Sequence, residues 1–176
     1  MKSSASPADF KHAMRRLAAG VTLVTTAGRR GRAGLTATAV CSLSADPPRV
    51  LVCVNRDSAP NRAIAAAKRF CVNVLGTRHR ALALRFAGAT GVQGEERFAK
   101  GTWTVGVTGA PVLADALASF DCAVVEAIES GTHTIFVGAV RAIETHAKGA
   151  PLIYASGAFG TLAKGKKTGA KPKTPK

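Results

Sequence analysis

A mostly β domain with peripheral helices, closed into a barrel, is the fold class that this sequence predicts. Seven or so short β-branched, apolar runs alternate with turn residues, and only three stretches carry helical periodicity. Apolar residues make up 47% and charged residues 20% of a 176-residue chain, enough to bury one core without disulfide or metal staples. No internal repeat interrupts that reading.

Taken in order, Ser6, Pro7 and Asp9 form a helix start, with Phe10, Met14, Leu17 and Ala18 following at helical spacing and Gly20 as the expected stop. Residues 21–26 are β-branched and predict a strand, which the segment GRRGRAG (28–34) turns into residues 35–41 as a hairpin. Asp46-Pro47-Pro48 breaks the next connection. Residues 49–54 and 70–75 predict two more strands, separated by a helix that starts near Pro60 with Ala63, Ile64 and Ala67 on one side. A short helix is expected over residues 80–87. The Gly-rich, charged stretch 88–101 predicts a mobile surface loop able to lie over a ligand. Residues 117–128 and 134–143 alternate as two long strands joined by Glu129-Ser130-Gly131-Thr132. Residues 1–160 are thus read as one domain. The remainder, 161–176, has no apolar face and is expected to be a disordered basic tail.

The net charge is +15, and six of the lysines lie in that tail, so the folded part carries +9. A field of this sign concentrates phosphorylated cofactors, and equally nucleic acid or acidic lipid, so charge does not select among them. Cys41, Cys53, Cys71 and Cys122 are far apart, without a C-x-x-C pair, and each sits in an apolar run; buried reduced thiols are expected, with no metal site. The first ten residues carry no apolar signal segment, and no run approaches membrane-spanning length, which predicts a soluble cytoplasmic protein with no membrane partner. Gly160-Thr-Leu-Ala-Lys-Gly165-Lys166-Lys167 nearly matches a phosphate loop. Lys167, however, stands where Ser or Thr must hold magnesium.

The most informative segment is GLTATAVCSLSADPPRVLVCVNRDSAPNR (34–62), read as strand, proline turn, strand and helix start. Thr36 and Thr38 share one strand face while Ala37 and Ala39 share the other, and such small side chains let a flat ring approach the backbone. The helix start carries unpaired N–H groups and a positive dipole end, with Ser58, Asn61 and Arg62 adding donors within one turn. It is a candidate phosphate site. Read from the residues alone, the threonines equally suit an ordinary exposed strand, and His133 a solvated or structural role.

These motifs, together with DFKHAMRRLAAGVTLVTT (9–26), RFCVNVL (69–75), ALALRFAG (81–88), GAPVL (109–113), HTIFVGAV (133–140) and PLIY (151–154), resemble the flavin reductase family. Its members are FMN-binding split β-barrels that supply reduced flavin to two-component monooxygenases. The resemblance implies an NAD(P)H-dependent flavin oxidoreductase, with FMN favoured over FAD and NAD(P)H as hydride donor. It implies that Thr36, Ala37, Thr38, Ala39 and Val40 border the flavin's pyrimidine end. Ser42, Asn55 and Ser58 are then expected to reach the ribityl chain and phosphate, with Cys53 and Val54 in backbone or packing contact. Phe86 and Ala87 match a segment that approaches the ring, although helix core is an equal reading for the pair. His133 matches a histidine on the substrate side, which makes it the catalytic candidate. A homodimer and a partner monooxygenase follow from the same resemblance. A non-catalytic flavin- or heme-binding split barrel remains the alternative, and a nucleic-acid-binding protein acting through the basic tail is a further, less favoured one.

Overall fold

The computed structural model describes residues 5–146 and 148–163; most of the basic tail, with the near phosphate loop from residue 164 onward, lies outside them. Ser6 caps the first helix, α1 (Pro7–Met14), its Oγ accepting the Asp9 N–H at 3.1 Å. Helix α1 stops six residues before Gly20, which instead lies in β1 (Ala19–Gly20). There follow β2 (Thr22–Gly28), β3 (Gly31–Ala37), β4 (Val40–Ala45), β5 (Pro48–Asn55), α2 (Ala59–Ala67), β6 (Arg69–Val74) and α3 (Arg80–Phe86). The chain then forms β7 (Trp103–Val105), β8 (Pro111–Leu113), β9 (Ala118–Ser130), β10 (His133–Thr145), β11 (Ile153–Ala155) and β12 (Ala158–Gly160).

Seven strands form one antiparallel sheet in the order β3-β2-β6-β9-β10-β5-β4. Laid flat, its outer strands would stand about 29 Å apart at about 4.8 Å per strand. Yet β3 and β4 are joined by only Thr38 and Ala39, a link that spans at most about 11 Å. The sheet therefore must curl until its edges meet. On the β4 side of this link the Cys53 N–H donates to Ala39 O at 3.0 Å, which carries the β4–β5 pairing one residue further. The expected unbroken strand over 35–41 is corrected accordingly: Thr38 and Ala39 leave the ladder because the chain there crosses from one sheet edge to the other.

Inside the barrel, β5 turns Val50, Val52 and Val54 inward against Ile64, Phe70 and Phe136, the period-two pattern of a strand with one covered face. A second core lies under α3, where Leu23, Leu75, Leu82, Phe86 and Phe98 meet. Between them, the wholly buried Asn73 donates from Nδ2 to Leu23 O (3.2 Å) and Thr25 Oγ1 (3.1 Å). Its Oδ1 accepts from the Leu113 N–H (2.7 Å) and Ser119 Oγ (3.2 Å). One amide thus ties β2, β6, β8 and β9 with its polar atoms satisfied.

The β9–β10 hairpin turns on Gly131 and Thr132 alone, two residues tighter than expected, and its register shifts near Gly138. The cysteines divide. Cys71 and Cys122 are buried, and desolvation assisted by the charge of Asp121 pushes both thiols up, Cys122 to about 12. The expectation of four buried thiols is corrected: Cys41 is exposed because β4 is a sheet edge whose residues are largely uncovered, and Cys53 is half-buried because it lies on the face of β5 opposite the buried Val52 and Val54. Iodoacetamide at neutral pH is therefore expected to modify Cys41 in the native protein and to reach Cys71 and Cys122 only after denaturation. Intact mass, before and after guanidinium, reads the outcome.

Candidate functional site

At the start of α2, Ser58 accepts the Asn61 N–H on Oγ at 3.2 Å and donates to Asn55 O at 2.7 Å, a helix cap that also fixes the exit of β5. Pro60 within the first turn suits the fixed φ of a helix start. Pro60 has no N–H, and those of Asn61 and Arg62 are taken by Ser58, so of the open donors expected there only the Ala59 N–H is left; Ser58, Ala59 and Pro60 border a cleft of about 430 Å³. Its walls are β3 from Ala33 to Thr36, α2 from Ser58 to Pro60, the end of α3 at Phe86 and Ala87, and Gln93, Gly94 and Arg97.

Arg97 closes this cleft on the side facing α3. Its Nη1 donates to Gly34 O (3.0 Å) and Phe86 O (3.1 Å), and its Nε donates to Val92 O (3.1 Å). A single guanidinium thus joins β3, α3 and the 88–101 segment, and its charge stays at the cleft wall. That segment is consequently no free loop. Residues Gly94–Ala99 form a 3-10 turn, Phe98 is buried against Phe86 and Trp103, and Glu95 pairs with Arg32 at 2.5 Å. The hydrogen bond from Arg32 holds the Glu95 carboxyl below the usual range.

Gly34 is the contact that permits the wall: a Cβ there would lie 2.8 Å from the Phe86 ring and 3.2 Å from Thr25 Cγ2. Phe86 is 1% exposed, so the helix-core reading describes its packing, and the residue also borders the cleft. Ala87, beside it, is exposed.

Of the residues expected from sequence, Thr36, Ser58, Phe86 and Ala87 meet in this cleft. Thr36 spends its hydroxyl on Ala83 O at 2.6 Å, which fastens β3 to α3. Ala37 is buried, and its carbonyl accepts from Thr22 Oγ1 at 2.8 Å. Thr38 and Ala39 form the exposed seam and Val40 resumes pairing opposite Val52, so the next stretch of chain beyond the cleft presents main chain with little side chain. Val54 is fully buried and Cys53 is half-buried. Asn61 turns inward and donates from Nδ2 to Val54 O at 3.1 Å, which makes its side chain a brace between α2 and β5. Arg62 is exposed, donates to Asp57 O at 3.0 Å and faces a neighbouring groove. Ser42 stands exposed on β4 opposite Val50. Exposed His133 begins β10 opposite Asn55, with Nδ1 2.9 Å from Thr132 Oγ1. This puts it at the end of β5 from which α2 departs. Arg97, Gln93 and Gly34 were not anticipated; the one local signal for Arg97 was an apolar Phe98 beside it in an otherwise polar stretch.

The flavin reductase-like domain family matches residues 14–163. An FMN reductase (NADH) RutF 1 of Methylorubrum extorquens is 44% identical over 97% of this chain and 86% of its own length. Among solved structures, BorF, the flavin reductase component of a bacterial two-component tryptophan halogenase, superposes with a TM-score of 0.82 at 35% identity, covering 89% of this chain and 98% of its own. A homologue of nitrilotriacetate monooxygenase component B from Mycobacterium thermoresistibile gives 0.83 at 30% identity over 92% and 89%. With a family match over most of its length and a split barrel to carry it, this chain belongs to the flavin reductase-like domain family.

Proposed function

We propose that this chain is an NADH-dependent FMN reductase that acts as a cytoplasmic homodimer and hands reduced flavin to a partner monooxygenase. The observation that carries the reading is the cleft, where a helix start and a fixed guanidinium border one strand, β3, whose continuation is the exposed main chain of Thr38 and Ala39. That donor set fits a flat, singly phosphorylated ring system: the anion has the α2 start and Arg97, and the ring has small residues and open main chain. FMN, when bound, supplies the ring that accepts a hydride from NADH.

The chain's own task is positioning, since hydride transfer between rings held near contact needs no acid–base pair. Ser58 and Arg97 bind and orient the phosphate from the cleft wall, and Arg62, one turn along α2 on the side of the neighbouring groove, adds positive charge from outside it. Main-chain groups of Thr38, Ala39 and Val40 hold the polar edge of the ring, with Asn55, Ser42 and Cys53 flanking it. His133, beside Asn55, steers the nicotinamide end of the donor. The names of the relatives support NADH as donor and an oxygenase as recipient. A homodimer is supported by the apolar face that α1 and its extension leave uncovered, with Phe10 62% and Leu17 63% exposed. Four unpaired cysteines agree with a reducing compartment.

Steady-state NADH oxidation with FMN, FAD and riboflavin compared side by side tests the activity; failure of every flavin to turn over overturns it. The phosphate position has its own check. Ser58→Gly with Arg62→Ala keeps a tolerated cap residue and is expected to raise KM for FMN roughly 10-fold while leaving riboflavin nearly unchanged, in line with one lost charge-assisted contact. Equal loss for both would contradict the assignment.

A further inference from the structure

The far end of the β9–β10 hairpin projects past the rest of its sheet. Strand β6 pairs with β9 only from Ala118 to Ala123, and one further bond runs from the Val124 N–H to Lys68 O. From Val125 to Ser130, β9 therefore has β10 as its sole strand neighbour among the described residues. Every residue from Val125 to His133 is exposed, and a Cβ placed on Gly131 would meet nothing within 4 Å. Packing gives this tip little support, and an exposed hairpin end of this kind opens readily. His133 is the first β10 residue after the turn, so its place depends on the place of the turn.

Arg56, directly after β5, reaches across to that turn. Its N–H donates to Thr132 O at 2.9 Å, its Nη2 lies 2.8 Å from Glu129 Oε2, and its Nη1 reaches Gly131 O at 3.5 Å. Three of the four residues before His133 are thus held by one arginine, whose fork meets a carboxylate and a carbonyl at once. Arg56 itself stands on a fixed base. Asn55 Oδ1 accepts the Asp57 N–H at 2.8 Å, and Asn55 O accepts the Ser58 N–H (3.2 Å) and Ser58 Oγ (2.7 Å), so the link from β5 to α2 is closed on itself.

We infer that Arg56 is a positioning residue for the reaction: it fixes the Gly131–Thr132 turn and, through that turn, sets His133 for the nicotinamide. The inference rests on the reading of His133 under Proposed function. Thr132 passes the restraint on, since its carbonyl accepts the Arg56 N–H and its Oγ1 lies 2.9 Å from His133 Nδ1. The phosphate side of the site does not depend on the Arg56 side chain, because Ser58 and Arg97 make their contacts without it. Donor binding and flavin binding should therefore respond differently to its removal.

Arg56→Ala keeps the main-chain bond to Thr132 and removes an exposed ion pair, so the fold should persist with Tm close to wild type. With FMN saturating, KM for NADH is expected to rise roughly 3- to 5-fold, the range of one surface ion pair, while kcat and the FMN dissociation constant stay within about 2-fold. A purely structural role would move the FMN constant and Tm as well. In the flavin-free protein, amide hydrogen exchange over residues 130–134 should quicken roughly 5-fold in the variant, a readout that needs no turnover. His133→Ala supplies the decisive comparison: in that background Arg56→Ala should add less than about 1.5-fold to KM, because a residue acting through His133 has nothing left to position. Full additivity of the two variants, unchanged exchange over 130–134, an equal loss of FMN affinity, or a wild-type KM in Arg56→Ala while His133→Ala raises it, each overturns the inference. A wild-type KM in His133→Ala overturns the assignment of His133 first, and the inference falls with it.

Discussion

Arg97→Ala is expected to raise the dissociation constant for FMN by roughly 10- to 100-fold, the factor that loss of a charge-assisted hydrogen bond in a half-buried site produces. Two effects add. The variant removes the one guanidinium in the wall of the first cleft, and it unties Gly34, Phe86 and Val92, whose carbonyls it holds at 3.0 to 3.1 Å. Arg97→Lys separates them: it restores charge without the planar fork, so it should recover part of the affinity but not the anchoring of the 88–101 segment. Fluorescence titration of FMN measures the first effect, and amide hydrogen exchange over residues 88–101 measures the second. Affinity within 2-fold of wild type in Arg97→Ala would remove this residue from the site.

Asn73→Leu is expected to cost roughly 3–5 kcal/mol of folding stability, because a side chain of similar size then leaves several buried polar partners unmatched. The Leu23 carbonyl loses its Nδ2 donor, and the Leu113 N–H and Ser119 hydroxyl lose the Oδ1 acceptor. None of these can turn to water in a site where Asn73 is 0% exposed. Urea denaturation should show the loss as a lower midpoint at unchanged slope. A midpoint close to wild type would mean that backbone ladders and packing hold the four strands without the bonds of this amide. FMN binding should fall with the folded population, since β2, which Asn73 fastens, carries β3 and with it one wall of the cleft.

Much of this protein is written locally. β-branched runs, the Ser58-Ala-Pro-Asn61 helix start and the short helix over 80–87 were legible because strand propensity, capping and helical periodicity act within a few residues. Family motifs extended that reading to the split barrel and to the segment between Thr36 and Ser58. Three things were not legible, and each depends on residues distant in sequence. The place at which the barrel closes follows from Thr38 and Ala39 joining the two edges of the sheet, which no window around them reveals. The charge at the cleft comes from Arg97, 63 residues after the Gly34 carbonyl that it holds. Asn61 looked like one donor among several at a helix start, until packing turned its amide inward onto Val54 O. Local chemistry thus settled which elements form. Only the closed barrel decided which side chains share a wall, because register and closure bring together groups whose separation along the chain carries no local signal.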